Sequence, residues 1–237
     1  MNKNRLIVAL DVETANEARE IINQLQGEVD AFKIGLQLFT AAGASFVREA
    51  VATGAKIFLD LKFHDIPNTT AQAAIEIARM RVWMFNVHAL GGAEMMRQTA
   101  ESVREVCEKE NLKPPKIIGV TVLTSSNQEI LRGTGIETEI GEQVVKLARL
   151  AANCGLDGVV ASPLEISLIR ENIKDKNFLI VTPGIRAGFA TNDDQKRVMT
   201  ASEAVRAGSD YLVVGRPILQ ARDRQSAARK ILEEIAF

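Results

Sequence analysis

The sequence predicts a closed (β/α)8 barrel of the TIM-barrel class, on three observations. Short β-branched runs alternate with longer stretches of helical period along the whole chain, the mark of repeated βα units and a parallel sheet. About eight such units can be counted, and 237 residues is close to the roughly 250 that eight units need, whereas a doubly wound sheet stops at about six strands. No Pro- or Ser-rich linker interrupts the pattern, so one domain over residues 1–237 is expected.

The expected strands, in order, are RLIVALDV (5–12), AFKIGL (31–36), KIFLDLKF (56–63), VWMFNVHA (82–89), KIIGVTVL (116–123), LDGVVAS (156–162), FLIVTP (178–183) and DYLVVGR (210–216). Helical stretches such as ANEAREIINQL (15–25) and EQVVKLARLAAN (142–153) lie between them. NLKPPK (111–116) reads as a helix-to-strand turn, because the residue before a proline avoids helical backbone.

Composition narrows the partners. A hydrophobic content of 46% can fill a large core, and a formal net charge of -1 offers no electrostatic footprint for nucleic acid or an anionic membrane. A small, locally recognised ligand is expected instead. Cys107 and Cys154 form no C-x-x-C pair, so neither a zinc site nor a disulfide framework is indicated. The N-terminal stretch has no signal-like apolar region, and no apolar run reaches membrane-spanning length. A cytoplasmic protein with no membrane partner is the expectation.

In barrels of this class chemistry sits where strands end, so polar residues late in a strand are the candidates. They are Asp11, Lys33, Asp60, Lys62, His88, Thr121, Thr124, Ser162, Arg186 and Arg216. Asp60 and Lys62 are two apart, which turns both to one face of a strand while Leu59, Leu61 and Phe63 turn to the other. Burying such ions costs several kcal/mol each, and an apolar pair often stabilises a fold better, so a cluster with Asp11, Lys33 and Asp65 calls for a functional reason. A lysine held among carboxylates keeps its proton and is an acid. At the far end, VTPGIRAGFATNDDQ (181–195) and the Gly215-Arg216 pair suit a phosphate, through backbone amides, a helix dipole and a guanidinium.

These residues resemble the orotidine 5'-monophosphate decarboxylase family along essentially the whole chain. Its D-x-K-x-x-D-I-P-x-T signature is matched by Asp60, Lys62, Asp65, Ile66, Pro67 and Thr69, and the blocks ALD, FKIG, NVHA, TVLTS, VTPGIR, DQ-R and DYLVVGRPI fall in family order. The resemblance implies that Lys62 protonates the pyrimidine carbon that loses CO2, in a charged array with Asp60, Asp65 and Lys33. It implies that Asp11, Lys33 and Thr69 contact the ribose, Thr124 the pyrimidine, and Gln195 both pyrimidine and phosphate. Arg186, Arg216 and the Gly215 amide complete the nucleotide site. It further implies orotidine 5'-monophosphate and UMP as ligands, no metal or organic cofactor, and a homodimer in which Asp65 and Thr69 reach into the partner's site.

Arg81 stands where the family commonly has glycine and Ala201 where it often has proline; both concern turn geometry. His64 reads as peripheral and His88 as a structural hydrogen-bonding residue. Two alternatives have discriminating features. Metal-dependent sugar-phosphate decarboxylases and synthases share the D-x-K-x-x-D core, but resemble an arrangement with an acidic metal ligand where this chain has Lys33. A catalytically idle nucleotide-binding barrel would have no need to keep every charged position.

Overall fold

Each of the eight expected runs contributes one strand to a closed barrel. The computed structural model describes residues 5–186 and 199–236. The barrel strands are β1 (Leu6–Ala9), β2 (Ala31–Gly35), β3 (Ile57–Phe63), β4 (Met84–His88), β5 (Lys116–Val120), β6 (Gly158–Val160), β7 (Leu179–Thr182) and β10 (Tyr211–Val214). They are parallel and closed, in the order β1-β10-β7-β6-β5-β4-β3-β2. Closure is set by registers such as Ile7↔Val213 on one side of β1 and Ile7↔Ala31 on the other. Two further strands, β8 (Ile185–Arg186) and β9 (Met199–Thr200), pair with each other outside the barrel. They are too short to leave a periodic signal in the sequence.

Helices follow the strands: α1 (Ala15–Leu25), α2 (Leu36–Ala52, interrupted at Gly43), α3 (Pro67–Arg79), α4 (Gly92–Lys109), α5 (Gln128–Gly133), α6 (Ile140–Asn153), α7 (Ile166–Asn172), α8 (Ala201–Ala207), α9 (Arg216–Leu219) and α10 (Arg224–Glu234). The first shows why they form. Thr14 caps α1 by accepting from the Glu17 amide at 3.2 Å, and Ala18, Ile21, Ile22 and Leu25 turn one buried stripe to the barrel. In α8 the Thr200–Glu203 capping box places Ala201 at the first helical position, where proline is well tolerated because its missing N–H would be unpaired anyway.

Strand alternation divides the core into two layers. Outward residues such as Val8, Ile34, Leu59 and Phe85 pack under the helices, while Ile7, Ala9, Ala31, Phe58, Met84, Ile118, Val181 and Val213 fill the barrel. Both cysteines are buried free thiols, and burial pushes their pKa values up. At the N-terminal mouth, carboxylates secure strand starts: Asp157 accepts from the Ile117 amide and Asp210 from the Ile180 amide, each at 2.8 Å. Charge at that end serves the fold.

The strands are shorter than several of the apolar runs. The expected 5–12 ends at Ala9, 116–123 at Val120 and 210–216 at Val214. Single ladder-like bonds continue past the ends, as from the Leu10 amide to the Lys33 carbonyl at 2.9 Å, before the chain turns outward. Asp11, Thr124, Gly215 and Arg216 therefore stand on the C-terminal rim and not in strands. Among the described residues no helix is long and apolar enough to cross a membrane.

Candidate active site

On β2, β3 and β4 the inward face carries apolar residues first and polar ones after. Ala31 is followed two residues on by Lys33, Phe58 by Asp60 and then Lys62, and Met84 by Asn86 and then His88. The charges accordingly lie on top of an apolar plug at the C-terminal mouth.

Asp60 is the hub. One carboxylate oxygen accepts from Lys62 Nζ at 2.7 Å and from Asn86 Nδ2 at 2.6 Å, and the other lies 3.4 Å from Lys33 Nζ. Lys33 Nζ also donates to Asp11 Oδ1 at 3.1 Å. Side-chain exposure falls from 57% for Asp11 and 32% for Lys62 to 13% for Asp60 and 11% for Lys33, so the two central groups interact with little water between them. Burial pushes the Asp60 carboxyl up, but the Lys33 and Lys62 ammonium groups and the donors from Lys62 and Asn86 outweigh it, holding the group below its usual value.

Close approach is built in by glycine. A Cβ at Gly35 would lie 3.0 Å from Lys33 Nζ, and one at Gly215 would lie 3.4 Å from Asp11 Oδ2. A side chain at Gly35 would press on the lysine end of the ion pair, whereas one at Gly215 would make ordinary contact with the aspartate.

Lys62 sits in the left-handed region, at φ 53°, where a non-glycine residue costs roughly 1–2 kcal/mol. The cause is an irregularity in β3. Leu59 pairs with Phe85 and Phe63 with Val87, so Asp60, Leu61 and Lys62 together face only Asn86. The Lys62 amide bonds to the Asn86 side-chain oxygen at 2.8 Å.

A cavity of about 220 Å³ opens over this array, lined among others by Lys33, Phe58, Asp60, Lys62, Thr124 and Pro183. Larger hollows, of about 730, 520 and 500 Å³, lie beside the start of α10, against α6 and α7, and at the N-terminal mouth, and the charged side chains lining them are exposed or half-buried. Of these four, the smallest alone is lined by an aspartate with two lysines.

The sequence-derived residues fall into four groups. Asp11, Lys33, Asp60 and Lys62 converge, with Thr124 lining the same cavity. Asp65 and Thr69 do not join them within the chain. Both are exposed on the turn into α3, and Asp65 Oδ1 accepts from the next amide, Ile66, at 2.6 Å. Gly215 and Arg216 lie on the rim after β10, but the helix they begin has only four residues and Pro217 has no N–H, so the expected helix-dipole contribution is weak. Gln195 and the Arg186 side chain lie outside the described residues.

Three further readings change. Thr121 and Ser162 are buried and structural: the Thr121 hydroxyl donates to the Val160 carbonyl at 2.9 Å, and Ser162 caps the turn at Leu164. His88 does not make the expected hydrogen bond, since its Nδ1 is buried without a partner among the described residues. It stacks on His64, with ring centroids 5.4 Å apart and planes at 29°. Burial first, then the charges of His64 and Lys62, push its pKa down. Asn86 was missed, although an amide amid the apolar run of β4 is an unusual residue to bury completely.

Among the described residues no group of three or more His, Cys, Asp and Glu side chains is placed to hold a metal ion.

Comparisons with known proteins agree with the barrel fold. The chain is 53% identical over 234 residues to a protein of Syntrophotalea carbinolica named orotidine 5'-phosphate decarboxylase, covering 99% of this chain and 96% of that one. It is 52% identical to the protein of the same name from Geobacter sulfurreducens, covering 98% and 96%. The crystal structure of orotidine 5'-phosphate decarboxylase from Lactobacillus acidophilus superposes with a TM-score of 0.87 at 36% identity, over 99% of this chain and 100% of that one. That from Pyrococcus horikoshii OT3 superposes at 0.77 with 27% identity, over 98% and 99%. The model of the orotidine 5'-phosphate decarboxylase / HUMPS family matches residues 4–231, and with these relatives it establishes that the chain belongs to that family.

Proposed function

We propose that this enzyme decarboxylates orotidine 5'-monophosphate to UMP and CO2 in pyrimidine biosynthesis, as one barrel domain over residues 1–237, with no metal or organic cofactor. The observation that carries the reading is Asp60, bonded to Lys62 and within ion-pair distance of Lys33, beneath a cavity at the barrel mouth. As the bond between ring and carboxylate breaks, its electron pair stays on the ring carbon while CO2 leaves. Nothing in the ring delocalises that pair well, so the protein must supply preorganised positive charge and a proton. Lys62 Nζ supplies both, and solvent returns its proton after UMP forms.

Asp60 fixes the ammonium group, and its own charge lies near the substrate carboxylate. Asp11 and Lys33 bind the ribose and Thr124 the pyrimidine. Gly215, Arg216, Arg186 and Gln195 take the phosphate end, where remote binding energy is used to close the site over the ring. The cavity is smaller than the ~300–1,000 Å³ of most ligand sites, in keeping with its holding the ring while the ribose phosphate extends along the rim.

The active unit in this reading is a homodimer joined mouth to mouth, with Asp65 and Thr69 donated to the partner's site. Two observations support it. Asp65 has no ion-pair partner within the chain among the described residues. Leu36, Ile66, Leu90, Leu123 and Leu164 are exposed on the rim after five successive strands, an apolar edge that a second barrel would cover. Such an assembly suits a cytoplasmic enzyme.

The test is an ultraviolet assay with orotidine 5'-monophosphate, with and without a chelator. Loss of absorbance that is indifferent to the chelator supports the proposal. Activity abolished by the chelator and restored by magnesium would favour the metal-dependent relatives, and no turnover would favour an idle barrel.

A further inference from the structure

We infer that Asn86 is a positioning residue for the decarboxylation, holding the Lys62 backbone and an Asp60 oxygen in working geometry through one side-chain amide. The inference rests on the proposed function, and concerns a residue that touches neither the substrate nor the departing CO2.

Three residues of β3 face one residue of β4, so the regular ladder cannot pair the Lys62 N–H. The Asn86 side chain takes the place of the missing strand partner, accepting from that N–H at 2.8 Å. It thereby holds Lys62 at its positive φ, a conformation that persists only where the surroundings fix it. The other end of the same amide donates to Asp60 Oδ1 at 2.6 Å, the oxygen that also receives Lys62 Nζ.

Oxygen and nitrogen orientation follow from the partners, since a carboxylate needs a donor and an amide N–H needs an acceptor. Leucine could serve neither partner, and aspartate could serve only one. Asn86 is wholly buried, and its flanking residues Phe85 and Val87 are locked into the layer beneath the helices. The amide therefore transmits the rigidity of the barrel wall to the lysine and its counter-ion.

The test compares wild type, Asn86→Ala and Asn86→Asp. It measures kcat and KM for orotidine 5'-monophosphate, the Kd of UMP, the pH profile of kcat/KM and the thermal midpoint. Small misplacements of a reacting group lower rates by roughly 10²-fold, so kcat should fall at least tenfold in both variants. UMP affinity should stay within about threefold, because positioning Lys62 for proton transfer is not a binding contact with UMP.

The acidic limb of the profile should move to higher pH in both variants. Asp60 loses a donor that helps keep it ionised, while Lys33 on β2, Lys62 on its own strand, Asp11 through Lys33, and His88 and His64 at the mouth remain. A purely structural role would lower the midpoint and leave the limb where it was. Folded variants with wild-type kcat, or with losses confined to KM and UMP binding, would overturn the inference. Failure of both variants to fold would also overturn it, by assigning Asn86 to the fold alone. An inactive wild type would overturn the proposed function instead.

Discussion

Replacing Asp60 with asparagine keeps the shape of the hub and removes its charge, leaving Lys33 and Lys62 without their shared counter-ion. Breaking a buried pair by removing one partner costs about 3–5 kcal/mol when the remaining charge is wholly uncompensated. Here the loss is smaller. Lys33 keeps Asp11 at 3.1 Å, and the Lys62 side chain is 32% exposed, so water screens part of the repulsion. We expect Asp60→Asn to be destabilised by about 1.5–3 kcal/mol at pH 7, a fall of roughly 3–12 °C in Tm for a chain of this size.

The pH dependence has a fixed sign. The Asp60 pKa is depressed in the folded state, so its contribution is fully present above the unfolded value near ~3.9 and is lost as pH falls through the depressed folded value. Thermal melts of both proteins should differ most at neutral pH and converge in acid. Equal midpoints at pH 7, or a difference that persists unchanged into acid, would refute the view of Asp60 as an ionised hub.

Three other outcomes follow from separate features. Lys62→Ala and Asp65→Ala homodimers should each be nearly inactive, yet reassorting equal amounts should restore roughly one quarter of wild-type activity if sites are shared and independent; a mixture no more active than its parents, with mixed dimers confirmed by mass, would place Asp65 in its own subunit's site. Arg216→Ala should lower kcat/KM strongly for orotidine 5'-monophosphate and little for the bare nucleoside, whereas equal losses would indicate general destabilisation. Arg81 holds φ 60° before β4, so Arg81→Gly should relieve about 1–2 kcal/mol of strain against about 0.5–1 of added unfolded-state entropy, and a lowered Tm would contradict that balance.

The barrel was legible because both its layers are written in period-2 alternation. Phe58, Asp60 and Lys62 turn inward and Leu59 and Phe85 outward, as strand geometry requires. The converging charges could be read for the same reason, since apolar residues give way to Asp60 and Lys62 at the end of one run. What alternation cannot encode is a break in its own register. The irregularity opposite Asn86, and with it the positive φ of Lys62, arises from pairing between β3 and β4, and neither segment carries a glycine or proline to announce it. Strand ends were overread because apolar residues continue onto the rim after the ladder stops. His88 was misjudged because a strand-end histidine has many possible partners, and its stacking on His64 depends on how the ends of β3 and β4 lie side by side.

In the proposed reaction Lys62 is both the charge that stabilises the carbanion and the acid that protonates it. Single-turnover kinetics of Lys62→Ala with orotidine 5'-monophosphate, beside the Kd of UMP, tests this dual role most directly. The chemical step should collapse by several orders of magnitude, from a total barrier reduction toward the upper part of the ~8–23 kcal/mol enzymatic range, with UMP still bound. A chemical step slowed by less than tenfold, ~1.4 kcal/mol, would contradict it.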